Sequence, residues 1–262
     1  MRDFRDAKAM AQTLRDTLKT KSISVTHSES LELVAKTFGV HDWNVLAAAI
    51  QASQSMLAPP RKSPVPSPGI LLPVAPMRDV VFFPHAISPI WVGREKTRRA
   101  IDAAIGGDGR LLVVTQKRME DDDPDFEALY SVGVTADIIH HTTMPNGTLR
   151  VKVSCAERAI ITKSGGHEFL AAEVEPIRDV HEFDTTAFAR MREIFDAYQA
   201  YTRTPPPYAL HRYSREPGVF ADVVVQLMEV GIEKTQQILE TNNVVERLEI
   251  ILGWMKDGPP SA

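Results

Sequence analysis

The chain has 262 residues, 44% of them hydrophobic and 24% charged, which suits one large domain or two modest ones at roughly 150 residues each. No stretch nears the roughly 18 consecutive apolar residues of a membrane helix, and the charged start Met1-Arg2-Asp3-Phe4-Arg5-Asp6 lacks an apolar signal core, so the reading is a cytoplasmic chain with no membrane partner. Cys155 is the single cysteine, which excludes internal disulfides and thiolate-cluster metal sites; the net charge of −4 divides into +3 over residues 1–62 (nine Lys/Arg, six Asp/Glu) and −7 over residues 63–262 (21 against 28), a sign that disfavours general binding of phosphate backbones.

Residues 2–53 read as helical. Ala7, Met10, Ala11, Leu14 and Leu18 recur at three- and four-residue spacing and make one apolar stripe. Thr26 and Glu29 have capping-box spacing and open a second helix with Leu31, Leu33, Val34 and Phe38 as its expected inner face. Gly39 suits its end, and Asp42 can cap a third helix carrying Trp43, Leu46, Ala47 and Ile50. The expected boundaries are a helical module over residues 1–55 and a linker over 56–69, where five prolines (59, 60, 64, 66 and 68) remove amide donors and favour extended chain.

From residue 70 the period changes. Ile70–Val74, Val80–Phe83, Leu111–Thr115, Val132–His140, Thr148–Ser154 and Phe169–Val174 are short β-branched or apolar runs between turn signals, and Pro145-Asn146-Gly147 reads as a hairpin turn. One helix is expected over Arg94 to Ile105, with Ala100, Ile101, Ala104 and Ile105 inward and Gly106-Gly107 ending it. Residues 70–180 are therefore expected to form a compact, mostly antiparallel β-barrel or sandwich. Residues 181–262 return to helical period: Phe188, Met191, Phe195, Tyr198 and Tyr201, then Phe220, Val223, Val224 and Leu227, then Ile238 and Leu239, then Val245, Leu248, Ile251, Leu252 and Met255. Helices with short joints after a β unit imply a bundle lobe. The fold class is α+β.

The stretches Leu72-Pro73-Val74-Ala75-Pro76-Met77-Arg78-Asp79-Val80-Val81-Phe82-Phe83-Pro84-His85, Val92-Gly93-Arg94-Glu95-Lys96, Leu111–Lys117, Leu129-Tyr130-Ser131-Val132-Gly133 and Met144–Thr148 carry a resemblance, joined in the C-terminal lobe by Gln236–Glu240 and Val245–Glu249. Together they resemble the N-terminal substrate-binding domain of Lon proteases. The resemblance implies a PUA-like β pseudobarrel followed by a helical bundle, used to hold unfolded or tagged polypeptides. Met77 and Trp91 stand where that family suggests smaller aliphatics. No G-x-x-x-x-G-K-[ST] phosphate loop occurs in the sequence, and Lon's Ser-Lys peptidase belongs to a domain outside this resemblance. Ala7–Ala11, Leu14-Arg15, His27–Ala35 and Asp42–Ala48 look like a small helical module often labelled glyoxalase-related. Glyoxalase chemistry needs a β-rich metal cup, and this segment shows no strand pattern.

Each chemical motif has a plainer reading. His27, Glu29 and Glu32 include zinc-ligand types, but Glu29 fits a cap and Glu32 is expected one turn on, facing solvent. His140 and His141 are adjacent in an expected strand, so they point to opposite faces and cannot share one ion. Glu120–Asp125 lacks the alternating ligands and central glycine of a calcium loop and reads as a solvated acidic loop. No base near Cys155 in sequence would activate it. Ala35–Val40 has the spacing of a helix-turn-helix turn, but the next helix offers Asp42, Trp43, Asn44 and alanines to a partner and no basic residue before Arg61, which favours a protein partner through Trp43 and Asn44.

The expectation is a non-catalytic binding module, an adaptor or regulator in protein quality control, without metal or cofactor. Its partners are unfolded or tagged polypeptides, a Lon-type protease and, through the helical head, a second partner or a second copy of the chain. Met77, Phe82, Phe83, Ile90 and Trp91 are the candidate substrate-binding residues, because apolar groups near strand ends can grip unfolded segments. The alternative is a nucleic-acid-binding regulator using the barrel or the head.

Overall fold

A computed structural model describes residues 7–21, 25–37, 43, 71–145 and 147–258. The chain divides into two compact units, Met1–Pro59 and Pro60–Ala262.

In the first unit, α1 (Ala7–Thr20) packs on α2 (His27–Thr37) around Ala11, Val34 and Ala35, with Leu14, Leu31 and Trp43 against them. The capping box forms reciprocally: the Thr26 amide donates to Glu29 Oε2 at 2.8 Å, and the Glu29 amide donates to Thr26 Oγ1 at 3.2 Å. The backbone hydrogen bond from Thr26 lowers the Glu29 pKa. Leu33, expected inward, is exposed. Glu32 is half-buried rather than facing solvent, and its carboxylate accepts the Trp43 amide. Phe38, Gly39, Asp42, Asn44, Leu46, Ala47 and Ile50 lie outside the described residues, as do the proline linker and Ile70.

The second unit begins with six strands: β1 (Leu72–Met77), β2 (Ile87–Val92), β3 (Arg110–Thr115), β4 (Val132–Thr143), β5 (Leu149–Gly165) and β6 (Ala171–Pro176). Their order is β2-β5-β4-β3-β1-β6, and β6 also pairs with the later half of β5, closing a barrel that leaves β2 as an appended edge strand. All pairings are antiparallel except β1 with β3. Helix α3 (Glu95–Gly106) covers one side. The near-continuous apolar run of β3 follows from burial on both faces: Leu111 and Val113 join a cluster with Ile101 and Ala104 of α3, while Leu112 and Val114 join Val74, Leu129 and Val174.

Three strands differ from expectation. Val80–Phe83 is an irregular segment, not a strand; Val81 and Phe83 leave the barrel and enter the core of the helical lobe. The strand over Ile87–Val92 was not anticipated, because Pro89 sits inside it. Proline has no amide to donate, and an edge strand with one unpaired side is where it is tolerated. The run expected over Thr148–Ser154 extends to Gly165, since β5 pairs first with β2 and β4 and then with β6.

The helical lobe comprises α4 (Thr185–Thr202), α5 (Tyr208–His211), α6 (Pro217–Leu227), α7 (Ile232–Glu240) and α8 (Val244–Asp257). Asp184 caps α4 by accepting the Thr186 amide, and Asn243 caps α8 by accepting those of Val245 and Glu246. The shared core unites Met191, Ile194 and Tyr198 of α4 with Phe220 and Val224 of α6 and Leu248 and Ile251 of α8. Phe195 stacks on His211 with ring centroids 5.0 Å apart. Leu227, expected inward, is exposed, and Asp222 of the same helix is buried in its place.

Candidate functional site

The edge strand positions an apolar groove on the barrel. Alternation along β2 turns Ile90 and Val92 inward and leaves Pro89 and Trp91 outward. Between β2, the turn after β1 and the start of α3 lies a cleft of about 340 Å³, with Met77, Phe82, Ile90 and Val92 as its apolar floor and Val80 and Trp91 at its rim. Of the sequence candidates, Met77, Phe82, Ile90 and Trp91 meet there. Phe83 does not: it is fully buried and packs with the helical lobe. Trp91 has 59% of its surface exposed, and the Arg150 guanidinium lies 5.2 Å from its ring centroid, a cation–π geometry across the β2–β5 ladder.

The polar lining of the groove is Arg78, Asp79, Arg94 and Thr97, and the neighbouring acidic loop engages Arg78 and Arg94. Arg78 pairs with Asp122 at 2.6 Å, Lys96 pairs with Asp123 at 2.6 Å, and Arg94 donates to Gln116 Oε1 at 2.8 Å and to the Asp121 carbonyl at 3.1 Å. Burial, then the neighbouring Arg78 charge, lowers the Arg94 pKa. The acidic run is held by the turn after β1 and the start of α3, while Glu120, Asp122, Asp123 and Asp125 stay exposed to solvent, as the sequence reading expects. Asp79 and Val80 also border a second cleft, which continues onto α6 and α7 along Val225, Gln226 and Ile232.

A buried charge cluster joins barrel to bundle, and the sequence reading missed it. Arg158 of β5 meets Asp222 of α6 at 2.5 Å; Arg247 of α8 meets Asp222 at 2.6 Å and Asp179 of the β6–α4 connection at 2.7 Å. Both guanidinium groups and Asp222 are almost wholly buried. Two cations face two carboxylates, so the cluster is internally neutral. Glu182 at its margin has a raised pKa, from burial first and then from the Asp179 and Glu216 charges. Gln236 Nε2 of α7 donates to the Val132 carbonyl of β4 at 2.9 Å and gives a further tie. With Arg158 also 3.6 Å from Asp179, four Arg–Asp pairs spread over 21 to 68 residues leave no periodic trace; only charged residues inside apolar runs hint at them.

Cys155 is fully buried, and burial pushes its pKa up to about 12. Among the described residues no three His, Cys, Asp or Glu side chains converge as metal ligands, and no helix is long and apolar enough to cross a membrane. Trp43 is half-buried in the first unit; its proposed companion Asn44 is outside the described residues.

Residues 71–257 match the family model described as the ATP-dependent protease La (LON) substrate-binding domain, and residues 1–63 match one described as a glyoxalase superfamily protein. The Lon protease of Azospirillum brasilense is 36% identical over 214 residues, covering 79% of this chain and 25% of that protein. The Lon protease of Xanthomonas oryzae pv. oryzae is 35% identical over 189 residues, covering 70% and 22%. The chain thus spans about a quarter of the length of these relatives. The solved N-terminal domain of the Mycobacterium avium complex Lon protease shares the fold, with a TM-score of 0.56, 23% identity, and coverage of 72% of this chain and 99% of that one.

Proposed function

The chain belongs to the LON substrate-binding domain family, and from that premise we propose that it is a non-catalytic polypeptide-binding module whose grip is the groove beside β2. One observation supports this most: Met77, Phe82, Ile90 and Trp91 surround one open apolar cleft on a family-typical barrel. Apolar floor and aromatic rim suit the side chains of an unfolded segment, and desolvating them supplies affinity. Pro89 removes an outward amide from β2, so side-chain capture outweighs strand addition there.

In this reading residues 70–180 grip clients, residues 181–262 brace the barrel, and residues 56–69 tether a helical head of residues 1–55. The head presents Trp43 and Asn44 to a second partner or to another copy of the chain. The module works in the cytoplasm as an adaptor or regulator of protein quality control, with a Lon-type protease as its natural collaborator and no chemistry of its own.

Fluorescence anisotropy with labelled, reduced and alkylated α-lactalbumin tests the reading. Saturable binding is expected, and Trp91→Ala should weaken it about tenfold, as loss of an aromatic anchor does. No binding to the intact chain, or affinity indifferent to both Trp91→Ala and Met77→Asp, would refute it.

A further inference from the structure

The outward face of β2, β5 and the end of β4 carries a second set of groups beside the groove. The ladder sets them in two cross-strand rows: Trp91, Arg150 and Thr142 in one, Pro89, Lys152 and His140 in the next. A bulge at Ile139 keeps His140 on this side, where its ring nitrogen is 2.9 Å from Thr142 Oγ1. Trp91, Arg150, His140 and Thr142 are exposed and Lys152 is half-buried. Neither row contains a carboxylate. Among the described residues neither Arg150 nor Lys152 is in an ion pair, whereas exposed Arg78, Lys96 and Lys163 and half-buried Arg110 of this unit each have a carboxylate partner. The nearest acidic group along the ladder is Asp137, opposite Ser154, half-buried and already engaged. Arg98 of α3 donates to the Gly147 carbonyl at 3.3 Å and steadies the hairpin that presents this face.

We propose that this face selects clients in which an acidic residue flanks an apolar one, with Arg150 and Lys152 pairing the carboxylates while the apolar side chain enters the groove past Trp91. The inference rests on the groove reading above and specifies its substrate class. Charge complementarity commits it to an acidic peptide. Two fixed cations set in a body of −7 over residues 63–262 cannot attract a long polyphosphate, whereas a short segment with one or two carboxylates meets only the local charge. Trp91 serves both parts: it walls the groove, and its ring holds the Arg150 guanidinium in place.

The test uses the full chain and fluorescein-labelled twelve-residue peptides that share one Phe-Leu core and differ in their flanks: Asp-Glu, Gln-Gln or Lys-Lys. A twelve-nucleotide single-stranded DNA completes the set. At 50 mM salt the acidic peptide should bind about tenfold tighter than the Gln peptide, and this preference should shrink toward unity at 500 mM salt as screening weakens exposed pairs. The double charge reversal Arg150→Glu/Lys152→Glu should invert the preference toward the Lys peptide, a gain that misfolding cannot mimic. Equal affinity for all three flanks overturns the selectivity while leaving the groove reading intact. Failure of every peptide to bind overturns both. DNA binding tighter than the acidic peptide, and lost on charge reversal, overturns the peptide assignment in favour of nucleic acid.

Discussion

Two charged regions of the same unit use arginine in opposite ways. At the junction of barrel and bundle, Arg158 and Arg247 are buried against Asp179 and Asp222. At the outer sheet, Arg150 stands in solvent with a tryptophan ring beneath it and no carboxylate across from it. Water decides the difference. A desolvated guanidinium is tolerable only when its countercharges are built in, so the junction carries its own carboxylates. A solvated guanidinium costs little to leave unpaired and remains available. Full pairing marks an architectural role, and an exposed cation on an aromatic ring beside an apolar cleft marks a place for a visitor.

The comparison can be broken most directly at the junction. Arg247→Ala leaves Asp179 and Asp222 short of a countercharge and should cost about 3–5 kcal/mol in urea unfolding; Arg247→Met with Asp222→Leu should recover much of that loss. A cost under about 1 kcal/mol would show the cluster to be dispensable. Gly133→Ala probes packing without charge: a Cβ there would lie 2.3 Å from the Val113 carbonyl oxygen of the neighbouring strand. Separating β4 from β3 should cost about 2–3 kcal/mol, read by the same denaturation.

Cys155 gives a pH-dependent measure of burial. Its folded pKa of about 12 lies above the ordinary value of 9.0. The folded state therefore keeps its proton while the unfolded state loses it. The thiol contributes nothing to pH dependence below about 9, and from 9 toward 12 stability falls by about 1.4 kcal/mol per pH unit. Cys155→Ala should flatten that slope, and thiol reagents at pH 8 should label the intact chain only after denaturant is added. Smallest of all, Trp91→Ala should change stability by less than about 1 kcal/mol while impairing peptide capture. A large stability loss there would erase the distinction between the two regions.

Much of the architecture was readable from residue order. The capping box at Thr26 and Glu29, helix α3, strand β3, the β4–β5 hairpin and the stripes of α4 and α8 are local patterns, and each appears where its spacing put it or within a few residues. Non-local partners explain the errors. Val80–Phe83 has strand-like residues, but Val81 and Phe83 are drawn into the helical core, so no ladder forms. Ile87–Val92 was overlooked because Pro89 argues against a strand unless one side is open. Four of the five groove candidates were chosen as apolar residues near strand ends and do converge, whereas Phe83 has the same sequence character and a buried fate. The ion pairs beside the groove were invisible: nothing in Glu120–Asp125 alone predicts that Arg78 and Lys96 will hold Asp122 and Asp123.

The length of β5 has a mechanical consequence. Arg150 beside the groove and Arg158 at the junction lie on this single strand, about 26 Å apart at roughly 3.3 Å per residue. The strand is flanked by β2 as far as Ser154, by β4 as far as Ile160 and by β6 from Ala159 onward. A tug on a captured chain directed along that strand is opposed by many ladder bonds sheared together instead of peeled one at a time, and it ends on an anchor sunk between both lobes. The handle and its root are one continuous rod, so the sheet can resist pulling without stiffening the groove itself.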